Sequence, residues 1–170
     1  MKKLSLALAA TIILSGCEAQ PEMGETDAAT EDLITTEYPE AEVEVQAVLD
    51  DIQAAIREND MDRLIAHHAY SPKFSDFQNA GWRTGSEENE ANERGFFGNA
   101  TAINRFEYVD PQISVYGDVA IASVHADVDL EMGDEQVVTQ RQLTLVFART
   151  EDGWKIVHEH NSPLEEQRPT

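Results

Sequence analysis

The sequence predicts an α+β domain, about three helices followed by an antiparallel sheet, and three observations carry that expectation. Apolar residues early in the folded part recur at helix spacing. Those of the second half alternate at strand spacing, and short glycine turns join the alternating runs. Helices gathered before a meander of strands pack on one face of the sheet.

From Val43 onward, Val45, Val48, Leu49, Ile52 and Ile56 fall at i, i+3, i+4, i+7 and i+11, one stripe of an amphipathic helix. Asn59-Asp60 interrupts it. Met61, Leu64, Ile65 and His68 then mark a short second helix, with Asn59 or Asp60 as its cap. The stretch from Tyr70 to Gly85 is irregular, with Pro72 and Gly81, yet it carries Tyr70, Phe74, Phe77 and Trp82. Such an aromatic loop is expected in the core, where it can also roof a pocket. Ser86, followed by Glu87, Glu88 and Glu90, reads as the capped, acid-rich first turn of a third helix running to Phe96-Phe97.

Arg105 to Tyr116 gives the first long strand, and Pro111 inside it points to an edge or a bulge. After Gly117-Asp118, the run from Val119 to Leu130 alternates. Ala120, Ala122, Val124, Ala126, Val128 and Leu130 share one face; Ser123, His125, Asp127 and Asp129 share the other. Gly133-Asp134 turns the chain into Val137–Arg149, and Glu151-Asp152-Gly153 turns it into Trp154–His160.

Ahead of the domain lie two other blocks. Lys2 and Lys3 precede an apolar run from Leu4 to Leu14, too short for the roughly 20 residues of a membrane-crossing helix and suited to an export signal. Its ending, Leu14-Ser15-Gly16-Cys17, resembles the lipobox of bacterial lipoproteins, in which the cysteine is lipidated and becomes the new N-terminus. That resemblance implies a signal peptide over 1–16 and a domain lipid-anchored at Cys17 to the cell membrane or outer membrane, facing the periplasm or exterior. Residues 18–42 hold nine acids, no base and only sparse apolar residues, so 17–42 is expected to be a solvated tether, with Leu33, Ile34 and Tyr38 its only candidates for docking. The domain then covers 43–163, and 164–170 is a tail.

The whole chain carries a formal charge of −21, and loss of Lys2 and Lys3 makes the mature form more negative still. Phosphate binding depends on Lys and Arg, so nucleic acid is excluded as a partner, and adhesion of the protein face to anionic lipid is disfavoured. One cysteine permits no internal disulfide.

The ending Thr150-Glu-Asp-Gly-Trp-Lys-Ile-Val-His-Glu-His-Asn-Ser-Pro163, with the order helix-helix-loop-helix and a Gly117-Asp-Val-Ala120 strand opening, resembles SnoaL-like domains of the nuclear transport factor 2-like, or ketosteroid isomerase-like, superfamily. The same ending resembles the association domain of calcium/calmodulin-dependent kinase II. The resemblance implies a cone-shaped fold, a curved sheet wrapped on helices around a pocket, and a homodimer formed through the sheet. It leaves function open, because the superfamily mixes enzymes, binders and scaffolds.

Candidate site residues follow from strand parity. In regular alternation His158 and His160 share the face of Trp154 and Ile156, while Glu159 takes the other; His125 and Asp127 share a face, and Arg141 has the parity of Leu143, Leu145 and Phe147. If these faces coincide, His125, Asp127, Arg141, His158 and His160 converge beneath Tyr70 and Trp82. His125-Ala-Asp127 is then either a base with its orienter or the wet face of a half-exposed strand. Arg141 is either a fork for a carboxylate or a surface charge. The two late histidines either bind ligand or are hydrogen-bonded structure. His125, Asp127, His158 and His160 suit zinc or iron only if all face inward, so no metal and no cofactor is expected.

The first helix lacks the tyrosine that ketosteroid isomerase chemistry uses, so that reaction is not implied. Three functions stay open. One is a binding module for a small, largely apolar molecule, and one is a cofactor-free isomerase or cyclase in which Asp127 or a histidine removes a proton beside a carbonyl. The third is an assembly module with an inert pocket.

Overall fold

The structure, a computed structural model, describes residues 32–164. The expected export segment, Cys17, most of the acidic block and the tail beyond 164 lie outside the described residues.

Helix α1 spans Pro39–Arg57 and buries Ala41, Val45, Leu49, Ile52, Ala55 and Ile56. It begins four residues before Val43, so residues 39–42 are helix and not tether. Proline fits the first helical turn, where its missing N–H costs nothing, and Glu40 and Glu42 there favour the positive end of the helix dipole. Tyr38, just before it, packs against the core. Helix α2 is one turn, Met61–Ile65, capped by Asp60, whose carboxylate accepts the Arg63 N–H at 3.0 Å. Arg63 in turn pairs with Asp51 and Glu58, tying α2 to α1. Asp60→Ala is expected to lower the unfolding free energy by about 0.5–2 kcal/mol, read from urea denaturation.

Five strands form one sheet in the order β1-β5-β4-β3-β2. Strands β2 (Ala102–Tyr116), β3 (Val119–Met132), β4 (Glu135–Thr150) and β5 (Gly153–Pro163) run antiparallel, each joined to the next by a tight turn. Gly117 and Gly133 sit in those turns at φ +65°, where a side chain would be strained. Within the aromatic loop lies an unexpected strand, β1 (Ser75–Gln78), which pairs parallel with the outer edge of β5. Four residues are too few for alternation to be read, and the edge hydrogen bonds of β5 supply the order instead.

Helix α3 (Ser86–Phe96) completes the element set; the backbone N–H of Gly85 before it donates to Glu88 at 3.3 Å. Helix α1 packs on the inner face of the sheet against Ala120, Ala122, Leu145, Phe147 and Ile156, all at most 1% exposed. Its polar residues close the free edge of β2: Gln53 Oε1 accepts from the Tyr108 N–H at 2.9 Å, and Arg57 donates to the Phe106 carbonyl at 3.1 Å.

Three bulges set which side chains face inward, one at Asn104 near the start of β2 and two farther along the sheet. Of these two, one follows Val109, where Asp110-Pro111 leaves the ladder on an edge strand, as the proline signalled. The other is in β5. Val146 pairs with His158 and Phe147 with Ile156, which leaves Val157 as an extra residue. Beyond that point the parity of β5 is inverted.

Candidate functional site

The inverted parity of β5 turns Glu159 and Asn161 to the inner face, while Trp154 and Ile156 before the bulge also point inward. Residues 67–69 are pinned beside this strand by two backbone hydrogen bonds, Ala69 N–H to the Ile156 carbonyl at 2.8 Å and Ile156 N–H to the His67 carbonyl at 2.9 Å. His68 is thereby held against Glu159, with its side chain only 1% exposed. Its Nε2 lies 3.1 Å from Glu159 Oε1 and 3.4 Å from Glu93 Oε1 on α3.

A polar network surrounds this trio. The Asn89 amide donates to the Tyr70 hydroxyl at 3.0 Å and to Glu159 Oε2 at 3.5 Å, and Gln78 donates to Asn89 Oδ1 at 3.2 Å. Tyr70 stacks on the His68 ring with centroids 4.9 Å apart, and Phe74 packs edge-on against both. Asp76 on β1 is fully buried and accepts from the Thr84 hydroxyl at 3.3 Å. Among the described residues, three buried polar atoms have no partner: His68 Nδ1, Glu93 Oε2 and Asp76 Oδ1.

In so dry a place burial and neighbouring charges shift His68, Glu93 and Asp76. Burial works against charge on His68, but its contacts with Glu159 and Glu93 outweigh burial and push its pKa up to about 10. Burial raises Glu93, and the neighbouring Glu159 raises it further against the pull of His68. Burial and Glu159 together push Asp76 up to about 6. Perturbed acids gathered beside an opening mark a candidate functional site.

The opening is a cavity of about 290 Å³ between α3 and the inner face of the sheet. Phe97, Phe106, Ala126 and Val128 give it apolar walls, while Glu93, Glu159 and Arg141 supply its charged groups. Arg141 donates to the side-chain carbonyls of Asn161 and Asn79, which fixes the guanidinium and leaves three of its five N–H donors for a ligand. Burial lowers its pKa without neutralising it. An apolar concavity with a few convergent polar groups is the usual form of a small-molecule site.

The sequence profile of SnoaL-like domains matches residues 45–166, all but the ends of the folded part. The chain belongs to the SnoaL-like domain family. Solved structures agree on the fold. An NTF2-like family protein of Streptomyces avermitilis, provisionally named a dehydratase, superposes with a TM-score of 0.66 at 23% identity, covering 76% of this chain and 100% of its own. An NTF2-like protein of unknown function from Pseudomonas putida gives 0.61 at 23%, covering 78% and 93%. A domain from Exiguobacterium sibiricum, provisionally named a calcium/calmodulin-dependent kinase II association domain, gives 0.63 at 14%, covering 78% and 99%. No curated protein sequence matches.

Within this SnoaL-like domain the residues singled out from the sequence fall into two groups. Arg141 lines the cavity and Tyr70 stands behind His68, both on the inner side. His125, Asp127, His158 and His160 lie on the outer face, so the convergence conditional on shared inward parity does not occur. The physical reason is the Val157 bulge for the two late histidines, and the inward packing of Val124, Ala126 and Val128 for His125 and Asp127. Asp127 is held by Arg105 at 2.6 Å and Gln140 at 2.8 Å. His158 Nδ1 meets the Ser75 hydroxyl at 2.9 Å. His125 and His160 border a shallow outer depression of about 400 Å³ with Gln142 and Thr144. Trp82 is 94% exposed and lines no part of the cavity.

The residues missed are His68, Asn89, Glu93 and Glu159. A signal existed for two of them. Asn89, Asn92, Glu93 and Phe96 recur at i, i+3, i+4 and i+7, so α3 turns inward a stripe of helix period that is polar where a core helix would be apolar, its last three residues lining the cavity and Asn89 buried behind them.

Proposed function

We propose that this chain is a lipid-anchored extracytoplasmic protein whose SnoaL-like domain binds a small, largely apolar organic molecule in the cavity beneath α3. The cavity carries the reading, with aromatic and aliphatic walls and a guanidinium fixed by two asparagines at one side. Arg141 takes a carboxylate or carbonyl oxygen of the ligand, and the apolar body lies against Phe97, Phe106 and Val128. The anchor is the lipid on Cys17, supported by the residue order ending Leu14-Ser15-Gly16-Cys17. A homodimer through the outer sheet face is supported by the exposed Val109, Val119 and Val138 there, and by likeness to a domain named for association.

Native mass spectrometry of the full chain released gently from detergent tests the binding. Extra mass that disappears on denaturation is the expected result. Arg141→Ala is expected to weaken retention of that molecule by about 10- to 100-fold, the range of one or two lost charge-assisted hydrogen bonds. Unchanged retention in Arg141→Ala would place the polar end elsewhere.

One observation favours a second reading, proton transfer beside a carbonyl. Glu93 borders the cavity with one oxygen unpartnered and its pKa raised by burial, the direction that makes a carboxylate a better general base. In that reading Glu93 takes the role considered for Asp127 and His125. Incubating the recovered ligand in deuterated water with the protein is the test. Exchange by wild type that Glu93→Gln abolishes supports it, and equal exchange by both refutes it.

A further inference from the structure

One nitrogen of His68 faces two carboxylates, and the lengths of those contacts are informative. A charge-assisted N–H···O bond closes to about 2.7–2.9 Å, and His67 Nε2 makes such a contact with Asp51 at 2.7 Å in this same protein. His68 Nε2 stands instead at 3.1 Å from Glu159 and 3.4 Å from Glu93, and a single N–H cannot point at both. Donor atoms placed about 2.0–2.1 Å from a shared tetrahedral ion lie roughly 3.3–3.4 Å from each other. The His68 distances are close to that edge, and all three ligand atoms lie within 4.8 Å of one another.

Two independent features point the same way. Glu93 Oε2 is buried without a partner, an acceptor left over that a cation would satisfy. Glu93 and Glu159 also line the cavity, so the trio is open on one side only. Charge agrees as well. A divalent ion with a neutral imidazole balances both carboxylates, which the single charge of an imidazolium does not. Asn89, donating to Glu159 Oε2, orients one ligand from behind. The orphaned Nδ1 is common to both states and favours neither.

We propose that His68 Nε2, Glu93 and Glu159 bind one divalent transition-metal ion of the zinc class, with a fourth position open to the cavity. Neutral imidazole with carboxylates suits zinc, and three protein ligands with an open place characterise sites that take a water or a ligand oxygen. The proposal goes beyond the ligand-binding reading, and an ion held by Glu93 would remove that residue from the role of base.

The test needs no organic ligand, so its outcome is separate from the binding reading. The full chain, stripped with chelator in mild detergent, is titrated with cobalt(II) and followed by visible absorption, then with zinc(II) by calorimetry. One equivalent of cobalt giving the intense bands of four-coordinate geometry, displaced by one equivalent of zinc, is expected. Glu93→Gln and Glu159→Gln should each weaken zinc by at least about tenfold, while His125→Ala on the outer face should leave it unchanged. A pale six-coordinate cobalt spectrum would overturn the proposal without recourse to any variant. So would weak, multiple zinc binding shared equally by wild type and both glutamine variants, since a surface this acidic produces that by itself.

Discussion

Replacing His68 by alanine should lower the unfolding free energy of the chelator-treated protein by about 3–5 kcal/mol at neutral pH, the range for breaking a buried ion pair from one side. The cost comes from what is left behind more than from what is removed. Glu93 and Glu159 would face each other across an empty space beside the buried Asp76, with no cation to separate them. The effect carries its own pH signature. In the metal-free fold His68 titrates at about 10, against 6.5 for an ordinary histidine, so the folded state holds the proton more tightly. Stability from this group is therefore complete below pH 6.5 and is lost as pH rises through 10. Asp76, raised from 3.8 to about 6, adds a loss of the same sign lower on the scale, because its neutral form is the one the fold favours. Glu93 is raised too, and Tyr70, stacked on the ring, is raised mainly by burial and stays a neutral donor-acceptor. Urea unfolding at pH 6.5, 8 and 10 should show wild type declining steeply and His68→Ala declining less, since only the raised carboxyl groups then contribute. A parallel decline in both would mean that the alkaline slope belongs to other groups. Adding Glu93→Gln and Glu159→Gln to His68→Ala should recover part of the loss, a coupling of more than about 1 kcal/mol. A cavity effect alone would give no such recovery.

The fold was legible because its information is periodic. The stripe from Val45 to Ile56 and the run from Ala120 to Leu130 are both buried on the side the sequence indicates. The bulge at Asp110-Pro111 could also be anticipated, since a proline that cannot donate leaves its mark on an edge strand. The site was less legible for the converse reason. Val157 is an ordinary strand residue between Ile156 and His158, and neither glycine nor proline announces the extra residue there. One undetected bulge exchanges the faces of everything beyond it, so Glu159 and Asn161 replace His158 and His160 at the cavity. Arg141 escaped the error because β4 keeps regular alternation from Arg141 through Phe147.

Glu93 and His68 were hidden differently. Helix α3 has Asn89 as its one buried residue, so hydrophobic periodicity found no core face to assign. His68 follows a single turn of helix and is fixed by long-range backbone pairing with Ile156, which nothing nearby in the sequence encodes. Such local departures from the pattern, a polar stripe facing inward and buried acids without full partners, concentrate where function resides.

Filling the cavity should separate function from fold more cleanly than deleting any polar group. Ala126 is 1% exposed, lies at the centre of β3 between Tyr108 and Arg141 on the neighbouring strands, and turns its methyl group to the cavity. In Ala126→Phe the added ring enters open space, so the usual overpacking penalty of about 1–3 kcal/mol should be largely avoided, and the urea midpoint should stay close to wild type. Ligand retention should fall by at least about a hundredfold, because a steric block removes the seat itself, whereas each lost 1.4 kcal/mol of hydrogen bonding costs only tenfold. The zinc site should survive, since none of its three ligand atoms belongs to the substituted strand. Loss of bound mass with metal binding kept would assign the organic molecule to the cavity and the ion to its acidic end. Retained bound mass would move the ligand out of the cavity. The outer depression bordered by His125 and His160 would then be the place to look, and His125→Ala, expected to be silent, would be the variant that loses it.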